Sequence, residues 1–143
     1  MTAIIIEIAD AVVAELNASA LFAPCVAERS YAPLFELSEM KDLHVTVVPR
    51  GKTTAAHSRA TTQEDVAIDV AIQMKLDKAD NEEIDALMEL VDQIAEYFKL
   101  KRLTACPDAA WIGTEYRAIF SPEHLAKMRQ FTSVLSLTFR IVR

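Results

Sequence analysis

The hydrophobic pattern changes period several times along the chain, and each change marks an element. The clearest stretch runs from Glu64 to Leu76. There Val66, Ile68, Val70, Ile72, Met74 and Leu76 alternate with Ala67, Asp69, Ala71, Gln73 and Lys75. A period of two held this long predicts a strand with one face buried and the other largely wet, as in an antiparallel sheet covered on one side. Leu43 to Val48 reads as a shorter strand ended by Pro49, which has no N–H to give a ladder. The two should pair as a hairpin, leaving Arg50 to Gln63 as a long, polar, basic and mobile loop. The last strand runs from Phe131 to Val142, with Phe131, Leu135, Leu137, Phe139 and Ile141 on one parity.

Helical periods bracket these strands. In residues 3–17, Ile5, Ile8, Val12 and Leu16 fall on one side and Glu7, Asp10 and Asn17 on the other. Asn81 to Phe98 has a stripe of Ile84, Leu87, Met88, Val91, Ile94 and Phe98, with its acids opposite. Asp80 with Glu83 resembles a capping box, Glu82 and Glu83 suit the positive N-terminal end, and Lys99, Lys101 and Arg102 suit the other. Cys25 to Tyr31 reads as extended and Pro33 to Met40 as irregular. Ala109 to Ile112 and Glu115 to Phe120 also read as extended. Ser121-Pro122 is a helix start, predicting a short helix over Glu123 to Lys127. The order predicts one α+β domain over residues 1–143: two layers, a mostly antiparallel sheet with helices on one face, and a long β-hairpin. A strand of about thirteen residues spans about 43 Å, against a diameter near 37 Å for a compact domain of this size. The hairpin should therefore overhang its own core, where another subunit could hold it.

Composition adds limits. With 143 residues, 52% hydrophobic, the chain can bury a core without disulfides or metal. Cys25 and Cys106 are far apart and read as reduced, packed thiols. No run is long enough for a membrane helix. The apolar start at Ile4 lacks a basic flank and is broken by Glu7 and Asp10, so export is not expected. The net charge of −6 disfavours a dedicated nucleic-acid binder. Its distribution is more telling. Asp77 to Glu96 holds eight acids and one lysine, whereas Pro49 to Thr62 holds Arg50, Lys52 and Arg59 and no acid. The acidic face is either a solvated surface or a docking face for a basic partner. The basic segment could touch nucleic acid weakly or meet the acidic helix of a neighbouring copy, and it lacks the aromatics that stack bases.

Catalytic motifs fail on inspection. Gly51-Lys52-Thr53 imitates a phosphate loop, but the earlier glycine it needs is replaced by Thr46. His44, His57 and His124 are too scattered for a metal site, and no serine lies in a nucleophile elbow. No enzyme activity, cofactor or metal is expected.

The order and texture of these segments resemble the tail-terminator or tail-completion proteins of long-tailed phages and prophages. The resemblance is carried by the N-terminal helix, Leu43-His44-Val45-Thr46-Val47-Val48-Pro49 and the polar segment with Arg59. It continues through Glu64 to Ile72, Asn81-Glu82-Glu83-Ile84-Asp85, Ser121-Pro122-Glu123-His124-Leu125 and the terminal strand from Phe131 to Arg140. It implies a non-enzymatic subunit, typically in six copies, whose ring caps the tail tube and joins it to the head. Its partners would be tail-tube and head-connector proteins, its location the host cytoplasm during assembly and then the virion tail. The subunit-interface candidates are Arg50, Lys52 and Arg59 on one side and Glu82, Asp85, Glu89, Asp92 and Glu96 on the other. A small-molecule-binding or regulatory module of ferredoxin-like type is the alternative, and it requires a closed apolar pocket with convergent polar groups.

Overall fold

The computed structural model describes residues 2–22, 25–31, 43–78, 80–118 and 130–143. The chain runs α1 (Ile4–Ser19), β1 (Ala27–Arg29), β2 (His44–Ala56), β3 (Thr62–Lys75), α2 (Asn81–Phe98), β4 (Arg102–Leu103), β5 (Cys106–Ala118) and β6 (Gln130–Val142). The strands form one sheet in the order β1-β2-β3-β6-β5-β4. All neighbours are antiparallel except β1, which pairs in parallel with Val45–Val47. The fold is α+β. The short helix expected over Glu123 to Lys127 and the irregular segment from Pro33 to Met40 lie outside the described residues.

The alternation in the sequence becomes the two faces of this sheet. Val66 stands opposite Phe139, Ile68 opposite Leu137 and Val70 opposite Leu135, and all six are fully buried. On β2 the same face carries Val45 and Val47. Helix α1 covers it from the β1–β2 side through Ile8, Val12 and Leu16, and α2 packs over β6 through Leu87, Val91, Ile94 and Phe98. The opposite face has no helix among the described residues. It is drier than simple alternation predicts, since Thr46, Ala71, Gln73 and Ser136 are buried there. Ser136 lies beneath Arg50, whose guanidinium donates to its hydroxyl at 2.9 Å.

Helix α2 matches its expected limits. Asp80 accepts from the Glu83 N–H at 3.0 Å, while Glu83 reaches back to the Asp77 N–H at 3.3 Å instead of to that of Asp80. Three strand expectations need correction. β2 does not stop at Pro49 but continues to Ala56. Val47 accepts from the Ser30 N–H of the chain beside β1, so Pro49, two residues on, turns its nitrogen away from β3, where a missing donor breaks no ladder bond. A bulge between Pro49 and Gly51 then restores the pairing. The long mobile loop from Arg50 to Gln63 is consequently a paired hairpin arm, with only 57–61 left as turn. Third, the two expected extended pieces belong, as far as the described residues run, to one strand, Cys106–Ala118, bulged at Ile112 and Arg117.

One buried charge ties the helices together. Glu15 of α1 accepts from the Thr104 N–H at 2.6 Å and from the Tyr97 hydroxyl at 3.3 Å, with Lys101 Nζ at 3.7 Å. Burial would raise its carboxyl, but the Thr104, Lys101 and Tyr97 contacts outweigh that and hold it below the usual range. Because the folded value is depressed, its stabilisation is complete above the unfolded carboxylate range and is lost as pH falls through the folded value. Glu15→Ala should cost about 1.5–3 kcal/mol at neutral pH, the range for a hydrogen bond to a charged group. The loss should shrink below roughly pH 4. Urea unfolding at the two pH values measures both, and a pH-independent loss would contradict the assignment.

Candidate functional site

Two features beyond the core distinguish the surface: unpaired sheet edges and separated charge. β1 covers β2 only to Val47, and β4 with Lys101 covers β5 only to Trp111. Among the described residues, nothing pairs with the outer side of β2 from Pro49 to Ala56 or of β5 from Ile112 to Ala118. Residues 52–56 are all exposed, and Ile112 and Tyr116 are each 40% exposed. Exposed edges of this length offer rows of N–H and C=O groups to another chain.

The backbone directions on both edges follow from the hydrogen bonds at Thr62 and Trp111. Thr62 and Arg143 exchange both backbone hydrogen bonds, at 2.7 and 2.9 Å. Thr62 therefore spends its groups on the β6 side, and its partner Ala56 turns its own groups outward. Alternation then gives Lys52 and Thr54 the same outward direction, and all three share the helix-bearing face. On β5, the Trp111 N–H donates outward to Lys101 O at 3.1 Å. Past the bulge at Ile112, Thr114 and Tyr116 point outward, again on the helix-bearing face.

The basic candidates sit less freely than the sequence implies. Arg50 occupies the β2 bulge and pairs with Asp69 at 3.1 Å, and Arg117 reaches the same carboxylate from the β5 bulge at 3.5 Å. Lys52 pairs with Glu64 at 3.2 Å. Arg143 holds Glu64 as well, at 2.6 Å, and keeps its carboxyl below the usual range. Asp65 is lowered in the same way by Arg140 at 2.8 Å. Arg59 alone of the three stands exposed on the turn with no ion pair among the described residues. A segment free of acids in sequence thus finds them on β3 and, for Arg50, on the helix-free face.

The acidic candidates lie as expected. Glu82, Asp85, Glu89, Asp92 and Glu96 are all exposed on α2. Asp92 accepts from the Tyr116 hydroxyl at 2.7 Å. Burial and that carboxylate push the phenol up to about 12, so it stays a donor at neutral pH. Glu96 has Lys99 at 4.0 Å. Along this helix run open grooves rimmed by carboxylates. One of about 560 Å³ is lined by Leu21, Glu89, Asp92, Gln93, Glu96 and Tyr97, and another of about 450 Å³ by Met88, Glu89, Val91, Asp92 and Tyr116. They are not the closed apolar pocket that a small-molecule module requires.

Of the remaining candidates, His44 is half-buried on β2 and His57 exposed in the turn; His124 lies outside the described residues. Among the described residues no three His, Cys, Asp or Glu side chains are grouped to hold a metal, and no helix is long and apolar enough to cross a membrane. Cys25 and Cys106 are not joined in a disulfide, and the Cys25 thiol donates to Leu43 O at 2.8 Å. Burial, with the nearby Glu7 and Asp108 charges, raises the Cys106 thiol, which favours its protonated form at neutral pH.

No family model and no curated protein matches the chain. Solved structures do. A chain from the virion of a native gene transfer agent particle matches with a TM-score of 0.63 at 13% identity, covering 94% of each chain. A sheath/tube terminator of an extracellular contractile injection system in its extended state matches with a TM-score of 0.49 at 17% identity. That match covers the whole of this chain and 58% of the other. The first match shows that this fold occurs in the virion of a gene transfer agent particle.

Proposed function

We propose that the chain is a non-enzymatic structural subunit of a phage-like tail, acting as a terminator or completion protein whose ring, of about six copies, joins tail tube to head. The observation that carries this reading is the pair of unpaired sheet edges. β2 and β5 run in opposite senses, because three antiparallel pairings separate them. Copies related head to tail keep one orientation, so β5 of one meets β2 of the next as an antiparallel neighbour. Such a heterologous contact closes into a ring when the rotation allows. The virion chain sharing this fold supports a structural place in a virion.

Opposite charges would guide the approach: Lys52 and Arg59 on the β2 side meet the face bearing Glu82, Asp85, Glu89, Asp92 and Glu96 of the adjacent copy, while Arg50, held by Asp69 and Ser136 on the helix-free face, stays out of this contact. Exposed pairs contribute only about 0.2–1 kcal/mol each, so they set register while the strand edges hold the ring. The ring would assemble in the host cytoplasm and remain in the virion tail, with tail-tube and head-connector proteins as neighbours and no cofactor.

Deleting the gene from its particle-producing background should leave filled heads and tails unjoined, and adding purified protein to that lysate should restore particles. Intact particles in the deletion lysate would contradict the proposal.

A further inference from the structure

The cleft between α2 and the free edge of β5 is built from an acid, a phenol and an open strand. Asp92 and the Tyr116 hydroxyl form its rim at 2.7 Å, and Met88 and Val91 line its wall. A side chain with an aliphatic stem and a cationic tip suits it, since the stem lies along Met88 and Val91 while the tip meets the carboxylate. The free half of β2 carries one such residue on the matching face. Of Pro49, Lys52, Thr54 and Ala56, only Lys52 is charged.

We infer that Lys52 of one copy docks in the Asp92–Tyr116 cleft of the next, fixing the edge register with Lys52 opposite Tyr116 and Thr54 opposite Thr114. This inference rests on the ring reading and specifies its interface. Three constraints agree on it. All four residues direct their backbone groups outward, so the two pairs can exchange hydrogen bonds. All four lie on the helix-bearing face, so the continued sheet keeps its helices on one side. An antiparallel match of Lys52 with Tyr116 also brings Thr54 to Thr114 without crossing either bulge. Lys52 can leave Glu64 without orphaning it, because Arg143 holds both oxygens of that carboxylate, at 2.6 and 3.4 Å. The register also shifts each copy along the strands: within one chain Tyr116 lies level with Val47, not Lys52. A stagger of that kind accompanies the tilt of strands in a closed sheet.

Within one chain Lys52 and β5 are three strands apart, roughly 14 Å at ~4.8 Å per strand. A disulfide needs Cα atoms within about 7 Å, so one linking these strands must join two copies. Oxidised Lys52→Cys/Tyr116→Cys protein should give a covalent ladder on a non-reducing gel. Thr54→Cys/Tyr116→Cys, which reports the neighbouring register, should give no more than the Lys52→Cys background from Cys25 and Cys106. Lys52→Glu should weaken assembly at least tenfold with an unchanged circular-dichroism spectrum, and adding Asp92→Lys should restore it. A ladder from the Thr54 variant alone overturns the register. Normal assembly of Lys52→Glu, or a loss that Asp92→Lys does not repair, overturns the docking of Lys52 and leaves the ring intact. A wild-type chain that never assembles overturns both.

Discussion

Thr54→Pro should fold like the wild type and fail to assemble. Proline removes one backbone N–H and fixes φ near −65°, a value that an edge strand tolerates. At Thr54 the lost N–H points away from β3, so the hairpin keeps its own ladder while the edge loses a donor and gains a ring in the path of an incoming strand. The cost to the monomer should be small, and the loss of assembly at least tenfold in the concentration required. Thr53→Pro is the matched control. Its N–H points into the hairpin, opposite Asp65, so this variant should cost about 1–3 kcal/mol of folding stability. Sedimentation and urea unfolding of the two variants separate these effects. Wild-type assembly by Thr54→Pro would show that the β2 edge is not the contact.

Phe98→Ala should cost about 3–5 kcal/mol, the range for deleting a large buried aromatic side chain. Phe98 is fully buried at the end of α2, edge-on to Phe139 of β6 with ring centroids 6.3 Å apart and to Tyr97 at 5.4 Å. It is a main anchor of α2 on the sheet, so its loss should also loosen the cleft formed with β5. Glu82→Ala on the exposed face of the same helix should change stability by no more than about 0.5 kcal/mol. Equal losses from the two substitutions would mean that α2 is not held through this stripe.

Where a hydrophobic period existed, the sequence was legible. Val66 to Leu76, Phe131 to Val142 and Ile84 to Phe98 each fill one face with large apolar side chains, which leaves a period in the residues even where small or polar ones such as Ala71 and Ser136 are buried opposite. Lys52 to Ala56 pairs just as regularly but stands exposed on both faces, so its strand character is held in backbone bonds that select no apolar pattern. Pro49 deepened the error, because its direction at the edge depends on where β1 ends. The bulge at Ile112 shifts the alternation and splits one strand into two apparent pieces. Glu15 offered no local sign either: its partners Tyr97, Lys101 and Thr104 lie over 80 residues away in the chain.

The charge separation was visible as composition, and α2 presents its acids as that composition indicates. What composition hides is pairing across the sheet. Arg50 and Lys52 belong to a hairpin whose other arm supplies Asp69 and Glu64, so of the three cations only Arg59, on the turn, has no ion pair among the described residues. That narrows the basic side of the proposed interface to a lysine with a replaceable partner and an arginine at the hairpin tip.

Under the proposed function, identical copies join head to tail into a closed ring. The most direct measurement is the mass of the wild-type chain across a rising concentration series, combined with electron microscopy of the assembled species. Closed rings of one defined copy number, near six, absent from Thr54→Pro under the same conditions, are the predicted result. A chain that remains monomeric throughout, or that forms a two-fold dimer burying the same edge on both copies, would contradict it.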